Sequence, residues 1–329
     1  EAELREREAW REIDLLLNRT RRYQESDFYP YRYLASEGFL PGYNFPRLPV
    51  RVLVTVRDSA RSIDRPRFLG LTEFGPGNVV YHEGRKHRVD AAILPPGGIE
   101  ERLRRARLCK VCGYAHDDEA VTVDLCEHCG TRLDSDSSDF PQRLLEHPTM
   151  RTRRAERISS DEEERIRSGY KTTTQFRFAP GARARRAQVQ REGGRPLLEV
   201  TYAPAASIWR INHGWRQGDH NGFQIDAQTG QWHRRDVDTS PGEESEPDTP
   251  LPITGVKPFV TDTRNLLLVR PMIEQASDSF LATLLYALKR GVQFVYQVEE
   301  QEIAAEVIGK DDNRRLLFWE AAEGGTGVW

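Results

Sequence analysis

Lysine is nearly missing from this chain of 329 residues. Of 48 basic residues only six are lysine (Lys86, Lys110, Lys171, Lys257, Lys289 and Lys310), so arginine makes up the other 42. A guanidinium matches a phosphate bidentately where an ammonium acts as a point charge, but an arginine-favouring codon usage explains the excess as readily. With 51 acidic residues the net charge is -3, which excludes a polyanion partner argued from net charge and leaves only local patches. Long apolar runs are absent as well. None reaches the roughly 18 residues of a membrane helix, and the start of the chain has no secretory hydrophobic region, so a soluble, cytoplasmic protein is expected. Signatures of a motor or hydrolase are missing too: there is no Gly-x-x-x-x-Gly-Lys-Ser/Thr loop, no Gly-x-Ser-x-Gly and no His-Glu-x-x-His. Gly324-Gly325-Thr326-Gly327 approaches a phosphate cradle but lacks the lysine, and reads as a turn. Glu320 and Glu323 beside it read as surface carboxylates. No catalytic residue is expected.

Cysteine is scarce and concentrated. The only four are Cys109, Cys112, Cys126 and Cys129, arranged as Cys-Lys-Val-Cys-Gly, an interval from Gly113 to Leu125, then Cys-Glu-His-Cys-Gly. Paired Cys-x-x-Cys turns at this separation match a four-thiolate zinc site, with Gly113 and Gly130 where the backbone must fold back. Two disulfides would need an oxidising compartment, and a redox Cys-x-x-Cys would need no second turn. Four thiolates close a structural site, so His116 and His128 are expected to face solvent or to lie behind the ligands.

With 38% apolar residues the chain supports one or two cores. The expected class is α+β: a β-rich domain carrying the zinc ribbon, followed by a C-terminal α/β domain. Residues 1–49 read as an amphipathic helix over 1–24, with Trp10, Ile13, Leu16 and Leu17 at helical spacing, and an aromatic and proline connector from Phe28 to Pro49. Residues 50–150 read as a β-rich subdomain holding the ribbon at 109–130, with strands at Val50–Val56, Phe68–Phe74, Asn78–His82 and Lys86–Leu94. An arginine-rich β domain is expected over 151–235, opening with a capped helix start at Ser159–Arg165. Its strands are Thr173–Phe178, Ala187–Gln190 and Leu197–Tyr202, followed by alternating strands and tight turns from Ile208. A disordered linker or insertion is expected over 236–252. The α/β domain over 253–329 has a strand at Asn265–Val269, a helix from Ser277 to Lys289 capped by Gly291, a strand at Gln293–Gln297 and a buried strand at Leu316–Trp319. Both ends read as cuts through a longer polypeptide.

Two local arginine groups are candidate phosphate contacts: Arg102, Arg104, Arg105 and Arg107 ahead of the ribbon, and Arg183, Arg185 and Arg186 beyond it. The tail from Leu281 to Gly291, with Glu302, Glu306 and Leu316–Val328, resembles the C-terminal domain of MrfA-like superfamily 2 (DEAD/DEAH-box) helicases, also found in the DISARM antiphage system. Ile158–Arg165, Gly169-Tyr170 and the Phe28–Pro49 connector look like segments of the same large helicases. The resemblance implies an accessory, DNA-binding region downstream of the motor domains of an ATP-dependent helicase in bacterial DNA repair or antiphage defence. Its partners would be DNA and the motor domains, in the same polypeptide or in a partner subunit. The family's ATPase motifs and its later cysteine cluster are not in this sequence. The competing expectation is a non-enzymatic zinc-ribbon scaffold for protein assembly that touches no DNA.

Overall fold

Alternating valines open the ordered part of the chain: Val50, Val52 and Val54 are buried on one side of β1 (Val50–Val56). The computed structural model describes residues 48–56, 59–155, 169–179, 181, 184–218, 221–233 and 253–321. The expected helix over 1–24, nearly all of the connector, the capped start at 159–165, the polar stretch 236–252, Glu323 with the Gly324–Gly327 turn, and Arg183 lie outside the described residues.

β1 pairs antiparallel with β2 (Ser59–Arg65) and parallel with β10 (Met150–Arg154). β10 pairs with β4 (Arg85–Ala92), and β4 with β3 (Val79–His82). The first sheet therefore runs β2-β1-β10-β4-β3. Its middle strand is the arginine-rich stretch after the ribbon, in which Met150 and Thr152 point inward and are buried.

The strand expected over Phe68–Phe74 is instead a helix, α1 (Arg67–Glu73). A short apolar run fits either state by periodicity; here Pro66 is the N-cap residue, and the Gly70 and Phe74 N–H groups donate to the Pro66 and Gly70 carbonyls at 2.8 Å. Leu71 and Phe74 are buried three residues apart. Gly70 lets the helix touch β1, since a Cβ there would lie 1.9 Å from Val50 Cγ2.

The second sheet follows the order β11-β13-β15-β17-β16, from β11 (Tyr170–Arg177), β13 (Pro196–Trp215), β15 (Ile253–Pro271), β17 (Arg315–Glu320) and β16 (Ile303–Ile308). β12 (Arg185–Gln190) extends β13, β14 (Phe223–Asp226) and β9 (Leu144–Glu146) add to β15, and β5 (Leu103–Arg104) adds to β9. The strands expected separately at Leu197–Tyr202 and from Ile208 are one strand with a bulge. The register shifts between Ala203 and Ala206, Ala205 takes φ 51°, and its N–H donates to Asn265 Oδ1 at 3.2 Å. Pro204 is tolerated there because a bulge releases the ladder bond it cannot make. β13 and β15 pair from Leu198–Pro271 to Ile211–Phe259, so segments on either side of 236–252 build a single sheet.

The helix expected to stop at Gly291 continues as α2 (Asp278–Tyr296), and the strand expected at 293–297 is its last turn. The Ser277 side chain caps its start by accepting from the Phe280 N–H at 3.1 Å, and Gln297 ends it with φ 53°. Gly291 faces outward, where a Cβ would meet nothing within 4 Å, while Leu281, Leu285 and Gln293 carry the buried stripe past it. That stripe covers the convex face of the sheet at Val269, Leu316, Phe318 and Ile303. On the concave face Phe176, Ile208, Leu266, Leu268, Leu317 and Trp319 converge, and the outer strands β11 and β16 come into contact. Among the described residues no helix is long and apolar enough to cross a membrane.

Candidate metal centre and arginine surfaces

The concave face is filled by the four-cysteine ribbon. Its sheet has the order β7-β6-β8, from β6 (Ala106–Cys109), β7 (Ala115–Asp117) and β8 (Ser138–Asp139). The two Cys-x-x-Cys turns are built alike. In the first, the Gly113 N–H donates to the Cys109 carbonyl at 2.9 Å and the Cys109 N–H to the Tyr114 carbonyl at 2.9 Å; in the second, Gly130 donates to Cys126 and Cys126 to Thr131, each at 2.8 Å. Gly113 and Gly130 take φ 79° and 71°, the region that favours glycine.

All four sulfurs lie within 4.8 Å of one another, with Cys109 Sγ 3.8 Å from Cys129 Sγ and Cys112 Sγ 3.6 Å from Cys126 Sγ. None is in a disulfide. A tetrahedron with metal–sulfur bonds of about 2.3 Å has edges of about 3.8 Å, so the thiols have the spacing to hold a metal ion. Metal-free, they cannot all be thiolates. Hydrogen bonds with Cys112 and Cys126 hold Cys109 below the usual thiol range, while those with Cys109 and Cys126 push Cys112 above it. A cation would replace the shared protons and satisfy four sulfurs at once. The Thr131 hydroxyl, 3.2 Å from Cys129 Sγ, donates to that sulfur once it is a thiolate.

Of the two histidines near the ribbon, His116 is buried and His128 is half-buried. His116 is fully buried, with its Nδ1 3.7 Å from Glu127 and its ring 5.0 Å from that of Tyr114. Burial holds its pKa below the ordinary 6.5. His128 stacks on Tyr114 and meets Phe176 and Phe178 edge-on. Burial, then the charges of Arg315 and Arg186, depress His128 to about 3, so its neutral ring accepts from Arg315 Nη1, 2.9 Å from Nδ1. Arg315 itself is only 7% exposed and has no carboxylate partner among the described residues. Burial lowers the pKa of its guanidinium, and the nearby Cys112 and Cys129 sulfurs work against that shift. No local pattern in the sequence marks Arg315 as a neighbour of the ribbon, because its contact with His128 spans most of the fold.

Backbone contacts lock the ribbon in place. The Phe176 N–H donates to the Gly113 carbonyl at 3.0 Å and the Lys310 N–H to the Val111 carbonyl at 3.1 Å. Arg177 of β11 pairs with Asp117 at the end of β7. A Cβ on Gly309 would lie 2.7 Å from the Val111 carbonyl oxygen, and one on Gly113 3.0 Å from Ile308 Cδ1.

The candidate arginines do not form one surface. Arg104 and Arg105 are exposed, Arg102 is half-buried, and Arg107 is bound into the ribbon, with its Nη1 donating to the Val123 carbonyl at 2.9 Å and its guanidinium 5.1 Å from the Phe140 ring centre. Arg185 and Arg186 are exposed on β12. Register aligns Arg104 through Leu144 with Lys257, and Arg186 through Thr201 with Leu268. The two groups thus stand on opposite sides of β15, about 35 Å apart along its length at ~3.3 Å per residue.

No protein-family model matches the sequence, and no curated protein matches it. Among solved structures the chain is similar to one described as the crystal structure of DUF1998 helicase MrfA bound to DNA, with a TM-score of 0.35 and 10% sequence identity. The alignment covers 85% of this chain and 27% of that one, so the chain spans about a quarter of the length of the structure it matches.

Proposed function

We propose that this chain is the DNA-binding accessory region of a superfamily 2 helicase, folded around one structural zinc ion and carrying no motor motif of its own. The observation that carries this reading is where the ribbon is seated. It rests on Ile308, Gly309, Lys310, Arg315, Leu317 and Trp319, of which Leu317 and Trp319 belong to the tail that resembles the C-terminal domain of MrfA-like helicases. The ribbon and that tail are therefore parts of one folded unit. A closed set of four thiolates suits zinc, which needs no open position for a structural role. Exposed Arg104, Arg105, Arg185 and Arg186 supply backbone contacts that hold DNA without reading its sequence. ATP hydrolysis belongs to motor domains elsewhere, and the process served is DNA repair or antiphage defence.

The test joins metal analysis to an anisotropy titration of the full chain with labelled DNA at about 50 and about 200 mM salt. One zinc per chain and an affinity falling about a hundredfold between those salts, as four phosphate contacts require, support the reading. A chain that binds no DNA at the lower salt overturns it.

A second reading, a scaffold for protein assembly, is favoured by the outer side of α2. Tyr286, Phe294, Val295 and Tyr296 are exposed there, Phe294 by 86%. Under that reading Phe294→Glu abolishes capture of the motor subunit, and DNA binding is absent.

A further inference from the structure

The outer corner of the second sheet carries four exposed arginines. Among the described residues β12 is an edge strand bonded only to β13, and every one of its residues is exposed. The hairpin closes where the Gly194 N–H donates to the Arg191 carbonyl at 2.9 Å. Gly193 and Gly194 take φ 102° and 85°, as a turn with positive φ at its third residue requires. A Cβ on either glycine would meet nothing within 4 Å. Among the described residues nothing covers the tip, which stands beyond the pairing of Leu198 with Pro271 that ends β15.

Arg185, Arg186, Arg191 and Arg195 are all exposed, against the single acidic residue Glu192 between positions 184 and 195. Elsewhere arginines hold carboxylates: Arg51 with Asp64, Arg65 with Glu73, Arg264 with Asp262, Arg290 with Glu300. Among the described residues none of the four hairpin side chains makes an ion pair or hydrogen bond. The Arg191 N–H donates to the Arg195 carbonyl at 2.9 Å, which brings two arginines together at the base of the turn. Like charges in that position are destabilising, and a bound polyanion removes the penalty. The stretch from Arg185 to Arg191 spans about 20 Å, with the amides of Gln188 and Gln190 between. A two-stranded ribbon is one of the elements that the major groove of B-DNA admits.

We infer that the β12–β13 hairpin is a phosphate-holding arm that lies along duplex DNA, with Arg191 and Arg195 at its leading tip. The inference rests on the DNA-binding reading above and adds the element, the end that leads and the preference for a duplex. Among the described residues nothing packs against the turn that carries Arg191 and Arg195, so substitutions there should leave the ribbon and both sheets intact.

The experiment compares the zinc-loaded full chain with its Arg191→Gln/Arg195→Gln variant on a labelled duplex of about 20 base pairs across a salt series. The variant is expected to bind at least about tenfold more weakly and to lose about two from the slope of log K against log salt, about one per phosphate contact. Metal content and melting temperature should be unchanged. Wild-type affinity and slope in the variant would overturn the hairpin assignment while the chain's DNA binding stands. A loss confined to single-stranded oligonucleotide would overturn the duplex assignment. A parent chain that binds neither substrate removes the broader reading, and this one with it.

Discussion

Gly309 shows how little room the ribbon leaves. It combines φ 85° with a carbonyl, that of Val111, lying 2.7 Å from where a Cβ would be. Gly309→Ala must strain its own backbone and push the first cysteine turn off the β16–β17 loop, costing about 1–3 kcal/mol. Denaturant unfolding should show the loss, and a metal site that exchanges faster should accompany it. His147 sets a second residue-scale expectation. Its backbone N–H donates to the Phe259 carbonyl at 2.9 Å, its Nδ1 lies 3.0 Å from the Pro148 carbonyl, and burial depresses it to about 4 from the ordinary 6.5. The unfolded chain therefore binds more protons than the folded one between those values. Stability contributed by the neutral ring is complete above about pH 6.5 and is lost as pH falls toward 4, by on the order of 2–3 kcal/mol. His147→Asn, which keeps a donor for Pro148, should flatten the fall in melting temperature between pH 7 and pH 5; an unchanged slope would assign the acid sensitivity to other histidines.

α2 tests the balance between local and tertiary forces at the scale of the element. Glycine is a helix terminator by propensity, yet Gly291 lies inside because Gln293 and the partly buried Val292 continue the stripe that covers Phe318 and Ile303. Since a Cβ at Gly291 meets nothing, Gly291→Ala should raise stability by about 0.5–1 kcal/mol, read as a higher denaturant midpoint at constant m value. The same helix marks a limit of sequence reading: a stop signal was visible, and the packing that overrides it was not. α1 marks another, because Phe68, Leu71 and Phe74 fit a buried strand or a helix equally well over seven residues. β1, β3, β4, β11 and β17 were legible from alternation or apolar runs. β10 was not, since its five residues include three arginines and only Met150 and Thr152 turn inward. The cysteine turns were legible because their chemistry is local; Arg315, His128 and Gly309 meet only once β16 and β17 have been brought under the ribbon.

Across the whole molecule the ribbon couples strands that share no sequence neighbourhood. Its carbonyls receive the Phe176 N–H from β11 and the Lys310 N–H from the β16–β17 loop. Removing the metal with a chelator should therefore speed hydrogen exchange at Phe176 and Lys310 well ahead of the β1–β2 ladder, where Val52 pairs with Ile63. Cys126→Ser should reproduce the pattern, whereas uniform acceleration would mean that metal and both sheets unfold together. Arginine composition alone did not reveal the arrangement of charge, because Arg104 and Arg186 become opposite corners only through strand register.

The parallel pairing of β1 with β10 also puts a clock on the molecule. β1 leaves the ribosome first but must wait for β10, and all four cysteines emerge between the two. At about 5–20 residues per second the gap from Cys129 to Met150 lasts about 1–4 s. During that interval the cysteine turns are exposed and the first sheet has no centre. A metal ion captured in those seconds would let the second sheet close over a formed ribbon and not over loose thiols.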